Sequence, residues 1–101
     1  MAKIVIAEAV GDDFERILRH FERHDSSSGP RRVAAIASAI DVLETSPLIG
    51  RPVENGKREL VIGRGAGGFI ALYRYELESD RVVVLAVRAQ RESGYKQRVG
   101  N

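Results

Sequence analysis

A chain of 101 residues, 44% hydrophobic and 30% charged, has material for one compact core and no more, so residues 1–101 are read as a single domain. The longest apolar run, Val82 to Val87, is far short of the roughly 20 residues that span a membrane, no cleavage site follows Met1 to Ala7, and the lack of cysteine excludes disulfides and thiolate chemistry; a cytoplasmic protein without membrane contact is expected. The net charge of +2 divides unevenly, with six Lys/Arg against eight Asp/Glu in residues 1–50 and ten against six in 51–101, and a basic second half anticipates an acidic partner unless it is solvated surface.

Lys3 to Ala7 carries Ile4, Val5 and Ile6 and reads as a strand. Gly11, Asp12 and Asp13 then predict a helix start, because short acidic side chains accept first-turn amides and favour the positive end of the dipole. Val10, Phe14, Ile17, Leu18 and Phe21 recur at helical spacing as its apolar stripe. Asp25-Ser-Ser-Ser-Gly29 reads as a loop, and Pro30 opens a second helix reaching about Ser46, before Pro47. Its main stripe is Val33, Ile36, Ala37, Ile40 and Leu43. With Ala34, Ala35, Ala39 and Val42 on the other side, burial on two sides is expected. From Lys57 the period becomes that of strands: Arg58 to Ile62, Phe69 to Leu77 and Arg81 to Arg88, joined by the glycine loop Gly63 to Gly68 and the turn Glu78-Ser-Asp80. Short connections make these neighbours antiparallel, and the apolar run of the last strand places it inside the sheet.

Several signals bear on chemistry. His20 and His24 stand at i and i+4, but no third metal ligand accompanies them beyond surface acids. The loop Gly63-Arg-Gly-Ala-Gly-Gly68 enters a strand rather than a helix, so a hairpin connection explains it better than a phosphate cradle. Ser26, Ser27 and Ser28 have no base to activate them. Arg51, Arg58, Arg74 and Arg88 are distributed around the sheet. If residue 62 pairs with 69 and 77 with 82, Arg58 lies opposite Tyr73 and Arg88 opposite Ala71, about 10 Å apart. Two helices cover one face only, which leaves an arginine-bordered open face for binding; the alternative is that Arg58 and Glu59 merely protect an edge strand from aggregation.

Two helices followed by Pro47-Leu-Ile-Gly-Arg51, Lys57-Arg-Glu-Leu60, Leu72-Tyr-Arg74, Val84-Leu-Ala-Val-Arg88, Gln90-Arg-Glu92 and Ser93-Gly-Tyr95 form an ordered series. It resembles the RelE/ParE toxin superfamily, nearest to the ParE-like plasmid stabilisation branch, and covers nearly the whole chain. The resemblance implies an α+β fold of order β-α-α-β-β-β, in which an N-terminal strand and a two-helix hairpin pack on one face of a mainly antiparallel sheet. It implies the toxin of a type II toxin–antitoxin system, needing no cofactor or metal and held in a hetero-oligomer by a cognate antitoxin that dimerises through a DNA-binding domain. ParE-like members inhibit DNA gyrase without being hydrolases, whereas RelE-like members cut messenger RNA on the ribosome. Here Ile70 stands where the nucleases commonly carry arginine, Ala89 stands where many relatives carry histidine, and the second half has no histidine. The expected reading is a gyrase inhibitor with no catalytic residues and a target surface of Arg58, Arg74, Arg88 and Arg91. An acidic antitoxin is expected to lay a helix near Phe14, Leu18 and Ile40 and to continue toward Arg58 and Arg88. The alternatives are an endoribonuclease using Arg58, Glu59, Arg88 and Tyr95, and a degenerate toxin that only binds its antitoxin.

Overall fold

The computed structural model describes residues 1–24, 28–64 and 67–90, with His24 described in its backbone alone. Strand β1 (Lys3–Ile6) leads into helix α1 (Glu8–His24). Helix α2 (Gly29–Asp41) follows, then a 3-10 turn (Val42–Glu44), β2 (Arg51–Pro52), a second 3-10 turn (Glu54–Gly56), β3 (Arg58–Ile62), β4 (Phe69–Glu76) and β5 (Arg81–Ala89). The strands form one sheet in the order β1-β5-β4-β3-β2, antiparallel except for the parallel pair β1 and β5. The expected α+β architecture of two helices on a mainly antiparallel sheet is present, with β5 inside the sheet as its apolar run requires. No described helix is long and apolar enough to cross a membrane.

One face of the sheet carries the core. Ile4, Leu60, Ile62, Phe69, Ala71, Tyr73, Val82, Val84 and Val87 meet Val10, Ile17, Ile36, Ile40 and Leu43 from the helical side. Removing these aliphatic and aromatic side chains from water drives the helices onto the sheet, at about 25 cal/mol for each Å² of apolar surface.

Four expectations are corrected. Helix α1 begins at Glu8, a turn before Gly11–Asp13, because the chain leaves β1 straight into the helix: Ala7 N–H donates to Val84 O, and Val10 N–H donates to Ala7 O. Asp13 is therefore an interior helix residue and is buried. Helix α2 stops at Asp41 rather than Ser46, and the chain tightens there into the 3-10 turn. Nor is α2 buried on two sides. Ile36 and Ile40 are covered, but Ala34, Ala35, Ala37 and Val42 are exposed; alanine favours a helix by intrinsic propensity and needs no burial to do so.

The fourth correction concerns register. Ile62 pairs with Phe69 and Arg58 with Tyr73 as expected, but Val82, expected opposite Leu77, pairs with Tyr75, and the polar turn pairs Glu76 with Arg81. Tyr73 faces Val84 while Leu72 faces Ala86, so Leu85 is an extra residue, a β-bulge. Arg88 thus stands opposite Ile70 rather than Ala71.

Candidate functional site

Side chains alternate between the faces of a strand, so register decides which arginines share a surface. Arg58 is opposite Tyr73, a core residue, and lies on the helix-covered face. Arg88 is opposite Ile70, one residue out of phase, and lies on the open face with Arg51, Arg74 and Arg81. The expected Arg58–Arg88 pair is thus divided between the two faces.

Arg58 holds the chain that follows α2. Its Nη1 donates to Leu48 O at 3.1 Å and to Gly50 O at 2.8 Å. Tyr73, fully buried, works beside it: its hydroxyl donates to Pro47 O at 2.7 Å and accepts from Gly50 N–H at 2.9 Å. Burial pushes the Tyr73 phenol above its ordinary value of 10.0, against the smaller opposing effects of the Gly50 amide and the Arg58 charge, so it remains a neutral donor. Glycine is required at position 50 because a Cβ there would stand 2.6 Å from the Tyr73 ring and 2.9 Å from Glu59 O. Three of the sequence segments that look separately characteristic thus meet in one structural knot.

On the open face, Glu59 is engaged by Arg51 through Nε at 3.0 Å and Nη2 at 2.8 Å. Glu76 lies between Arg81, at 2.7 Å, and Arg74, at 3.2 Å. Their bonds, that from Arg81 first, hold the Glu76 carboxyl below the usual carboxylate value. Arg88 turns back to the carbonyls of Ala89 and Gln90 at 3.2 and 3.3 Å. Ile70, Val83 and Ala86 form a buried apolar floor between these charges. Arg91 and Tyr95 lie outside the described residues.

A groove of about 500 Å³ runs between β1 and the hairpin, lined by Ile4, Ile6, Phe14, Ala37 and Ile40, with Lys3, Asp41 and Glu44 at its polar positions. The expected antitoxin residues Phe14 and Ile40 both line it. Leu18 does not; its Cδ2 would be 3.3 Å from a Cβ at Gly29, which places it against the start of α2.

Sequence reasoning missed a clamp between α1 and β5. Asp13 accepts from Val87 N–H at 2.9 Å and from Arg16 at 2.8 Å, while Arg16 donates to Val87 O at 3.2 Å. β1 has ended by this point of β5, and the two side chains take the place of a strand at both backbone groups of Val87. The signal was there to read, since Asp13 falls on the same helical face as Val10 and Ile17, where a carboxylate needs a buried partner.

The fold is shared with solved structures. A structure described as the chromosomal ParDE toxin–antitoxin system from P. aeruginosa matches with a TM-score of 0.75 at 20% identity, covering 88% of this chain and 96% of that one. The toxin–antitoxin complex RelBE2 from Mycobacterium tuberculosis matches with a TM-score of 0.62 at 23% identity, covering 88% and 98%. No curated protein sequence matches significantly. Residues 4–94 match the model of the ParE toxin of the type II toxin–antitoxin system parDE, and with nine-tenths of its length so matched the chain belongs to the ParE toxin family.

Proposed function

We propose that this toxin arrests bacterial growth by binding DNA gyrase through protein contacts, with no catalytic residues of its own. The observation that carries this reading is the dispersal of the groups a nuclease would need. Arg58 is on the helix-covered face with its guanidinium on the Leu48 and Gly50 carbonyls, Glu59 is engaged by Arg51, and Arg88 is on the other face. General acid–base cleavage requires a base and a phosphate-stabilising cation converging on one reacting atom. These three do not converge. Ile70, which is buried, and Ala89, which is partly buried, add no titratable group between them.

An antitoxin neutralises the toxin by laying an amphipathic helix into the groove at Phe14 and Ile40, beside the exposed small residues of α2. The groove itself holds one lysine against two carboxylates, so the acidic part of that antitoxin belongs further along, at the arginines of the open face. The pair forms a hetero-oligomer in the cytoplasm, dimerised through the antitoxin's DNA-binding domain.

The test is a supercoiling assay with purified gyrase beside a translation extract. Inhibited supercoiling with intact messenger is expected. Cleavage of ribosome-bound messenger with untouched supercoiling would replace this reading with the endoribonuclease, and inactivity in both assays with tight antitoxin binding would leave only the binding module. Tyr95→Phe is expected to stay toxic, since losing one hydroxyl disables a proton donor but hardly weakens a protein contact.

A further inference from the structure

The segment between α2 and β2 combines an exposed apolar tip with a pinned backbone. It forms a turn in which Ile49 N–H donates to Ser46 O at 3.3 Å, with Pro47 at the position where its fixed φ favours the turn. Leu48 and Ile49 at its tip are 57% and 54% exposed. Scattered exposed aliphatics are ordinary on mobile loops. This backbone is not free to move: the Pro47, Leu48 and Gly50 carbonyls and the Gly50 amide are each bonded by Tyr73 or Arg58, side chains based on the sheet.

We infer that the Leu48–Ile49 tip is the apolar anchor by which the toxin holds its target protein, and that it enters an apolar recess bordered by carboxylates. This deepens the reading of the chain as a toxin that acts by protein binding, and rests on it. A tip fixed before binding loses little conformational freedom on association, which is the advantage of a preorganised anchor. The polar border follows from charge: Arg51, directly beyond the tip, keeps 59% of its side chain exposed while paired with Glu59, and Arg58 and Lys57 are partly exposed near it. Exposed Val53 extends the apolar surface.

The other occupants fit less well. Three aliphatic residues fall far short of the roughly 800 Å² that each partner buries in a stable interface, so two tips cannot sustain a dimer, whereas a larger target supplies the rest of the contact. The groove that suits the antitoxin helix is lined by β1, and the segment after the tip continues into β2, at the opposite edge of the five-stranded sheet. Four strand spacings separate those edges, about 19 Å.

The experiment uses the full chain carrying Leu48→Ser and Ile49→Ser together, with Leu48→Met/Ile49→Val as the apolar control. Four quantities are measured: inhibition of gyrase supercoiling, growth arrest on induction, affinity for the cognate antitoxin, and sedimentation of the free toxin. The serine variant is expected to lose inhibition and growth arrest by at least about tenfold, with antitoxin affinity within about threefold and sedimentation unchanged, while the control behaves as the parent. Full potency in the serine variant overturns the inference. So does a loss of antitoxin affinity equal to the loss of toxicity, which assigns the tip to the antitoxin, or a change in sedimentation, which assigns it to a second copy. If the parent arrests growth but leaves gyrase untouched, the gyrase reading fails alone and growth arrest decides the anchor. A parent inactive in both overturns both.

Discussion

Replacing Asp13 by alanine is the sharpest test of how α1 is fastened to β5. The carboxylate is 1% exposed and is bonded both to the Val87 amide and to Arg16. Truncation leaves that amide buried without its acceptor, a loss of about 1–3 kcal/mol. It also strips Arg16 of its counter-charge, and breaking a buried ion pair from one side costs about 3–5 kcal/mol in total. Because the Arg16 side chain keeps 27% of its exposure and can regain water, the lower end applies and Asp13→Ala should cost about 3 kcal/mol. Asp13→Asn keeps an oxygen for Val87 but turns an amide toward the guanidinium, so about 1–2 kcal/mol is expected. Urea unfolding followed by circular dichroism measures both, and combining Asp13→Ala with Arg16→Ala should reveal a coupling of about 1 kcal/mol or more. A loss under about 1 kcal/mol for Asp13→Ala, with an unchanged denaturant slope, would refute the clamp.

Tyr73→Phe removes the acceptor of Gly50 N–H and the donor to Pro47 O, and thermal or urea unfolding should register a loss of about 1–3 kcal/mol. Gly50→Ala drives a methyl group against the Tyr73 ring and the Glu59 carbonyl and should cost about 1–3 kcal/mol in the same assay; a neutral result would mean that the loop gives way easily. Glu76 has a folded-state pKa below its ordinary 4.5, so its stabilising contribution is present above that value and lost as pH falls through the folded one. Glu76→Gln should therefore be less stable than the parent at neutral pH, and the gap should close on acidification when unfolding is followed from about pH 7 to about pH 3. Arg58→Ala should lower both stability and toxicity, whereas Arg88→Ala, on the open face, should weaken target affinity by about 1–3 kcal/mol with less effect on stability.

Much of the fold was legible because its signals are periodic. The β-branched run at Ile4–Ile6, the stripe Val10-Phe14-Ile17 and the pairing of Ile62 with Phe69 follow from local patterns that survive in the structure. What escaped depends on contacts between distant residues. Asp13 resembles a capping residue until Val87, 74 positions away, is placed beside it. Arg58 and Arg88 look equivalent in the sequence, yet a single unpaired residue between the ends of the sheet puts them on different surfaces. The alanines of α2 were misleading for another reason, since they satisfy the helix by propensity and carry no information about burial.

The extra residue at Leu85 also governs which kinds of sequence change the toxin can absorb. Counting by twos from Val84, Ala86 and Arg88 would fall beneath the helices and Val87 would face outward; the bulge shifts that count by one. Deleting residue 85 would remove the bulge and leave Val84 and Ala86 in regular alternation, with Ala86 and Arg88 still outward and the Val87 backbone still toward Asp13, whereas straightening the strand with residue 85 kept would send a guanidinium into the core. Exchanging Leu85 for another residue suited to an extended chain leaves the phase alone. Residue 85 can therefore change identity or be lost without turning Arg88 inward, and an engineered graft of the terminal strand that keeps this residue must reproduce the bulge if its charged face is to arrive pointing outward.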